Sequence, residues 1–365
     1  MHLGRIVLAL ALASPGLPFE PAMPGYVFEF PRDHFEHPSF AAEWWYYTGN
    51  LSASDGRPFG FELTFFRSGL DRAGDALSAW DADQVYLAHF VVTDIQSGRL
   101  HQHERLNREG PGLAGASMAE GLLWNGNWSV HFDLQDPRSP TQRLSAVAED
   151  ASLELVLEPA KPVVVHGEKG VSQKAAGAGR ASHYASFTRL VASGLVTVGG
   201  VEVEVGGLAW MDHEFFSHNL AEGQAGWDWM SVQLDDGSDL MIYGLRNLDG
   251  QHGAFSGGTF VDAEGTPLRL LADDLHLAPG RLWRSDETGA EYPVEWAVDV
   301  PRLALRLRVR PLLDAQEIVS ASGLTPVYWE GAVRYEGERA GVAVEGKGYL
   351  EMTGYDQPAV LIRSP

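Results

Sequence analysis

Trp45-Tyr46-Tyr47-Thr48-Gly49-Asn50-Leu51, the cluster Ser54-Asp55-Gly56-Arg57-Pro58, and Gly60-Phe61-Glu62-Leu63-Thr64-Phe65-Phe66-Arg67 read together as a β-hairpin. The flanking runs are rich in aromatic residues, which suit a pleated surface, and Asp-Gly offers the positive φ that a tight turn requires. The layout recurs at Trp227 to Leu234, Asp235-Asp236-Gly237-Ser238 and Leu240 to Arg246. Each copy opens on a Trp-rich strand, turns at a glycine and closes on an apolar strand ending in Arg. Separated by nearly half the chain, the two point to a pair of related β units rather than a many-bladed array.

Working outward, period-2 or apolar runs predict further strands at Tyr86–Thr93, Trp128–Leu134, Ala151–Leu157, Leu195–Val205, Val294–Val300, Leu303–Val309, Gly331–Tyr335 and Gly346–Met352. Long amphipathic helices are missing from the pattern. A short one is expected within Pro311–Ser320, where Pro311 suits a first helical position. The Gly-, Ala- and Lys-rich segment Gly167–Arg180 reads as an exposed loop. Glycines cluster near Ser193–Gly207, placing a boundary between an N-terminal unit at 25–198 and a C-terminal unit at 199–365.

Composition narrows the function classes. The 365 residues carry a formal charge of −22, which repels phosphate backbones and anionic headgroups, so neither nucleic acid nor a polybasic membrane contact is expected. With no Cys, disulfides, thiolate zinc sites and cysteine nucleophiles are excluded. Arg5, the apolar run 6–13 and the step Ala11-Leu12-Ala13 outline a secretory signal within a leader at 1–24. A secreted or periplasmic location follows as an expectation. No run is long enough to span a bilayer as a helix, so an integral membrane protein is not expected.

Several blocks resemble one family in order and spacing. They are Phe30-Pro31-Arg32-Asp33-His34, Glu43-Trp44-Trp45-Tyr46-Tyr47-Thr48-Gly49, Ala88-His89-Phe90 and Ser182-His183-Tyr184-Ala185-Ser186-Phe187. Trp210-Met211-Asp212-His213-Glu214-Phe215, Gly226-Trp227-Asp228-Trp229 and Gly348-Tyr349-Leu350-Glu351-Met352-Thr353-Gly354-Tyr355 continue the series. From about Pro31 to Tyr355 the chain is similar to the carotenoid-hydratase-like (AttH/CrtC-like) lipocalin-related family. The resemblance implies an all-β fold of two lipocalin-like antiparallel barrel or sandwich domains, a greasy ligand held between or within them, and no metal or organic cofactor. It departs from the carotenoid hydratases at Phe215, where they carry Trp, and at Tyr243-Gly244-Leu245, where their Tyr-x-Asp supplies a second acid.

Asp212-His213-Glu214 is the sharpest cluster. On a strand, Asp212 and Glu214 face one side and His213 the other. Asp212 or His213 facing an apolar cavity would serve as a proton donor with a displaced pKa, and Tyr243 on the second hairpin would offer its hydroxyl. The alternative is a structural role, with both acids holding backbone amides or an Arg. Arg67 and Arg246 need buried partners, for which Glu43, Glu62 and Asp228 are available; each is either a ligand anchor or an interstrand salt bridge. Trp227 and Trp229 share a face and are candidates for the pocket wall, His89 and His183 for ligand contacts. His89, His183 and His213 lack the spacing of a metal site, and His101-Gln102-His103 reads as a surface turn. There is no Gly-x-Ser-x-Gly elbow and no phosphate or dinucleotide loop.

Two functions remain open from the sequence. One is hydratase-like, acid-catalysed chemistry on an apolar isoprenoid, polyene or lipid-like molecule. The other is a non-catalytic periplasmic carrier for such a molecule, serving a membrane transporter. A structural envelope protein with its pocket filled by its own side chains is a third.

Overall fold

The computed structural model describes residues 19–70, 82–218, 220–323 and 325–360. The signal-like run lies outside the described residues. The chain forms two β domains and almost no helix, as the hairpin pattern implies.

The first sheet contains β1 (Ala42–Ala53), β2 (Pro58–Gly69), β3 (Gln84–Asp94), β4 (Arg99–Arg108), β5 (Ala114–Ser117), β6 (Leu122–Asn125), β7 (Trp128–Asp133), β8 (Thr141–Val147) and β9 (Ala151–Pro159). It also holds the short β10 (Val164–Val165) and β11 (Ser172–Gln173), then the long β12 (Ala181–Val198) and β13 (Val201–Phe216). The order is β4-β3-β2-β1-β13-β12-β9-β8-β7-β6-β5, with β10 and β11 paired to β12. The sheet curls into a nearly closed barrel. Side chains span the remaining gap: Asn125 donates to the Tyr86 carbonyl at 3.1 Å and Asn107 to Asn125 at 2.7 Å.

The second sheet is a half-barrel. It contains β14 (Gln224–Leu234), β15 (Asp239–Asn247), β16 (Gly257–Val261), β17 (Pro267–Leu271), β18 (His276–Pro279), β21 (Trp296–Val300), β22 (Leu305–Pro311), β24 (Tyr328–Arg339) and β25 (Val342–Thr353). β19 (Leu282–Arg284) and β20 (Glu291–Pro293) pair apart, and β23 (Glu317–Ile318) edges β24. Among the described residues no helix is long and apolar enough to cross a membrane.

Both expected hairpins form, β1–β2 turning at Gly56 (φ +87°) and β14–β15 at Gly237 (φ +83°). Four expectations are corrected. Leu195–Val205 is not one strand: Gly199 and Gly200 take φ +56° and +79° and turn β12 back into β13. For the same reason a boundary at 198/199 would cut a hairpin, since β13 lies between β1 and β12 and the change of sheet falls within 217–223. Pro311–Ser320 is not helical, because Pro311 completes β22 opposite Val333 and Gln316 holds the Ala332 amide at 3.0 Å. His101-Gln102-His103 lies in β4, where both rings share the carboxylate of Asp150 at 2.8 Å.

The barrel interior is filled by its own side chains, including Trp45, Tyr47, Phe61, Phe65, Phe90 and Trp128. The opposite face of β1, β2, β12 and β13 packs on the half-barrel through Tyr46, Tyr184, Trp210, Trp229, Met241 and Tyr349. Asn50 donates to the Gly348 carbonyl at 2.9 Å, and Gln233 to the carbonyls of Thr188 and Ala209 at 2.8 and 2.9 Å. These strands are therefore buried on both faces, and any polar group on the outer face of the barrel strands must be satisfied inside the protein.

Candidate functional site

A cavity of about 340 Å³ lies between the two sheets. Strand register builds it from two facing rows. Ser186, Asp212, Tyr46, Thr64 and His89 lie side by side across β12, β13, β1, β2 and β3. Opposite them, Tyr243, Trp229, Glu351 and Glu330 run across β15, β14, β25 and β24. Tyr46 joins the rows by donating to Glu330 at 2.6 Å. Trp44, Phe66, Phe216, Trp227 and Tyr328 supply aromatic wall, and the exposed Leu70, Leu106 and Val360 give an apolar rim.

Besides Glu43, which belongs to a separate cluster with Arg67, the lining of this hollow includes Glu62, Asp212, Glu214, Glu330 and Glu351. Glu214 pairs with Lys174 at 3.0 Å and accepts from Ser182. Among the described residues the others have no cation within ion-pair distance, and burial makes their ionisation costly. Burial, with the nearby Glu62 and Glu351, pushes Glu330 well above the carboxylate range despite the Tyr46 hydrogen bond. Burial also raises Glu351 to about 8, although the Trp227 side chain bonds it, and raises Glu62 against the pull of His89. Asp212 is raised by burial to about 7, the hydrogen bonds from Ser186, Tyr184 and Trp210 holding it from going higher. One oxygen each of Glu62 and Glu330 is buried with no hydrogen-bond partner among the described residues. The cavity thus holds Glu330 and Glu351 as carboxylic acids at neutral pH beside Asp212, a carboxyl group poised to take or give a proton.

His213 is not among them. As alternation requires, it points to the other face of β13, where it stacks on Trp45 with ring centres 4.8 Å apart. Its Nε2 meets Glu43 at 2.7 Å and its Nδ1 the Asp33 carbonyl at 3.1 Å. His37 meets the same Glu43 oxygen at 2.7 Å and Asp33 at 3.3 Å. His37, Glu43 and His213 bring their donor atoms within 4.8 Å of one another. Each atom is already engaged, and Arg67 grips the second Glu43 oxygen at 2.8 Å, so the group is a hydrogen-bonded knot rather than a ligand set. Burial works against the charged form of both rings. It prevails at His213, whose pKa falls, whereas Glu43 and Asp33 prevail at His37 and raise it. Burial opposes ionisation of Glu43 too, but His37, Arg67 and His213 hold it well below the usual range.

A family model described as AttH-like matches residues 21–355. The chain belongs to the AttH-like family. A crystal structure assigned as an AttH from Nitrosomonas europaea is 36% identical, with TM-score 0.82 over 92% of this chain and 99% of that one. Kievitone hydratase from Nectria haematococca shares the fold at TM-score 0.70 and 14% identity, covering 94% of this chain and 99% of that one. The dehydratase asqC of Emericella nidulans is 20% identical over 223 residues, 58% of this chain, which spans 61% of that relative's length.

In this AttH-like chain the structure divides the residues singled out in the sequence into two sets. Asp212, Tyr243, Trp227 and Trp229 line the cavity. Arg67 and Arg246 touch its edge or lie beside it, but their donors are committed. Arg67 donates to Glu43, Gln84 and the carbonyls of His37 and Phe40; Arg246 donates to Asp228 at 2.8 Å and to the Thr353 carbonyl. Both serve the interstrand salt bridge, which was one of their two readings. His183 lies away from the cavity, with Nδ1 on the Gly170 carbonyl at 2.9 Å and its ring on Tyr26. His89 stands behind the wall, 2.6 Å from the Tyr328 hydroxyl, which in turn donates to Glu62 at 3.1 Å.

Sequence reasoning missed Glu330, Glu351, Tyr184, Ser186 and Lys174. Glu351 sits within a quoted family block and Glu330 follows Trp329, yet a lone Glu in a strand carries no chemical signature. Lys174 belongs to the segment expected as an exposed loop. That segment instead pairs through β11, buries Val171 and Ser172, and sets the ammonium 4.3 Å from the Tyr243 ring centre.

Proposed function

We propose that this AttH-like protein adds water to, or removes it from, a neutral and largely apolar alkene-bearing molecule held between its two β domains. The observation that carries the reading is the pairing of aromatic walls with buried acids whose ionisation is opposed by burial, Glu330 and Glu62 each keeping one oxygen unpartnered among the described residues. A carboxylic acid transfers its proton to one alkene carbon, leaving a carbocation on the other. The faces of Trp44, Trp227 and Trp229 stabilise that cation as water is excluded elsewhere. Asp212 removes a proton from the incoming water, and the C–O bond forms; dehydration runs the same steps backwards. Acids that stay neutral at pH 7 make this possible in a chain of charge −22. The dehydratase and hydratase names of its relatives agree with this chemistry, and the apolar rim favours an isoprenoid or similar ligand. The signal-like N-terminus supports a secreted or periplasmic setting.

The test uses neutral isoprenoid alkenes and alcohols in ¹⁸O-labelled water, with N-phenyl-1-naphthylamine fluorescence reporting cavity occupancy. Wild type is expected to bind the dye and to place ¹⁸O in product. Asp212→Asn and Glu330→Gln should lower the rate by roughly 10²- to 10⁴-fold while still binding dye. Folded variants that work at wild-type rate would sink the proposal. Dye and alkenes that bind without ever being altered would turn it into the carrier reading.

A further inference from the structure

Asp212 must lose the proton it takes in hydration, or regain the one it gives in dehydration, while an apolar ligand fills the cavity in front of it, and the structure holds a second connection behind it. Ser186 Oγ donates to Asp212 Oδ1. His166 Nε2 lies 2.6 Å from that same Ser186 oxygen, and His166 Nδ1 lies 2.8 Å from Thr259 Oγ1. His166, Ser186 and Thr259 are buried, with exposures of 1%, 0% and 3%. Since Ser186 spends its one hydrogen on Asp212, its oxygen accepts from His166 Nε2–H. The imidazole then carries no hydrogen on Nδ1, which accepts from the Thr259 hydroxyl. Every hydrogen in the chain therefore points towards the carboxylate.

Thr259 opens on a separate cavity of about 60 Å³, large enough for a water or two. Its lining includes the exposed Ala254, Arg269 and Leu271, so it meets solvent on the side away from the large cavity. Tyr243 stands in the wall between the two hollows. The chain crosses the domain junction: His166 and Ser186 come from the barrel, Thr259 from β16 of the half-barrel.

We propose that Thr259, His166 and Ser186 form a proton wire between Asp212 and the rear cavity, recharging Asp212 in dehydration and discharging it in hydration. This rests on the functional reading above and deepens it. In one passage Thr259 takes a proton from water and gives its own to His166 Nδ1. His166 releases its Nε2 proton to Ser186, and Ser186 passes its proton to Asp212. The carboxylate becomes a carboxylic acid, the imidazole ends in its other neutral tautomer, and all hydrogens now point outward. Net, one proton moves inward and no charge stays on the wire. This inward passage serves dehydration, in which Asp212 gives its proton to the departing water; hydration, which leaves Asp212 protonated, uses the reverse passage. The Tyr184 ring lies 4.5 Å from the imidazole centre to centre, and burial together with the charge of Lys174 keeps the imidazole neutral, as a tautomer relay requires.

The test blocks the front entrance with N-phenyl-1-naphthylamine in the full chain labelled with [4-¹³C]aspartate. A rapid pH drop through the value of about 7 at which Asp212 titrates is followed by infrared, using the carboxylic-acid band that Asp212→Asn lacks. Thr259→Val and His166→Gln should slow the band's appearance at least tenfold, and Thr259→Ser should restore it. Turnover of an accepted alkene should fall in kcat with KM unchanged in both blocked variants. Equal infrared rates in wild type, Thr259→Val and His166→Gln would overturn the wire. That failure is separate from failure of the hydratase reading, in which Asp212→Asn itself leaves turnover intact.

Discussion

Glu43 and Glu330 are both glutamates buried to within 2% of full enclosure, yet one is an anion and the other an acid. Glu43 is held by Arg67, His37 and His213, whereas Glu330 takes a hydrogen bond from Tyr46 and has Glu62, Glu351 and Asp212 as its charged neighbours. Asp228 in the half-barrel repeats the first arrangement, held by Arg246, His252 and Tyr355. The contrast shows that burial alone fixes nothing about charge. Donors in reach make an ion structural, and their absence leaves a protonated group free to do chemistry.

The largest effect should come from breaking the knot. Glu43→Gln strands the Arg67 guanidinium and is expected to cost about 3–5 kcal/mol in urea unfolding at neutral pH. Glu330→Gln mimics the form already present and should change stability by less than about 1 kcal/mol. Equal losses would erase the distinction between the two sites. Arg246→Met leaves Asp228 its His252 and Tyr355 bonds, so a smaller loss of about 2–3 kcal/mol is expected by the same measurement.

Dependence on pH sharpens the comparison because the two kinds of acid act with opposite sign. The depressed Glu43 stabilises the fold above its unfolded value of about 4.3, and that contribution is lost as pH falls through its lower folded value. Glu351, raised to about 8, favours folding fully below about 4.3 and loses this as pH rises through its folded value. Glu351→Gln should therefore flatten the decline of stability between about pH 5 and 8 by roughly 1–3 kcal/mol, read from unfolding midpoints across that range. The smallest change belongs to an exposed pair. Arg281→Ala, which removes the contact with Asp314 at 2.7 Å, should cost no more than about 1 kcal/mol.

Much of the fold was legible because its signals are local. Asp55-Gly56 and Asp236-Gly237 specify turns, and the alternation of Trp44 and Tyr46 against Trp45 and Tyr47 sorts side chains by face whatever lies beyond. The Arg–acid pairs were legible as possibilities, since a strand-buried guanidinium demands a carboxylate. The candidate site was half legible. Asp212 stood out beside His213, but alternation sent the imidazole to the knot and left the acid in the cavity.

By itself the sequence determined which residues share a strand face and where the hairpins turn. Only tertiary structure decided what covers each face. Glu62 and Thr64 alternate with Phe61, Leu63 and Phe65 as a solvent-facing strand would, and nothing nearby in the chain says otherwise. The half-barrel, arriving from more than 150 residues away, closes that polar face against Glu330 and Glu351. A carboxyl group's acidity depends on the water and charges within a few ångströms, and those neighbours are set by packing rather than by position along the chain.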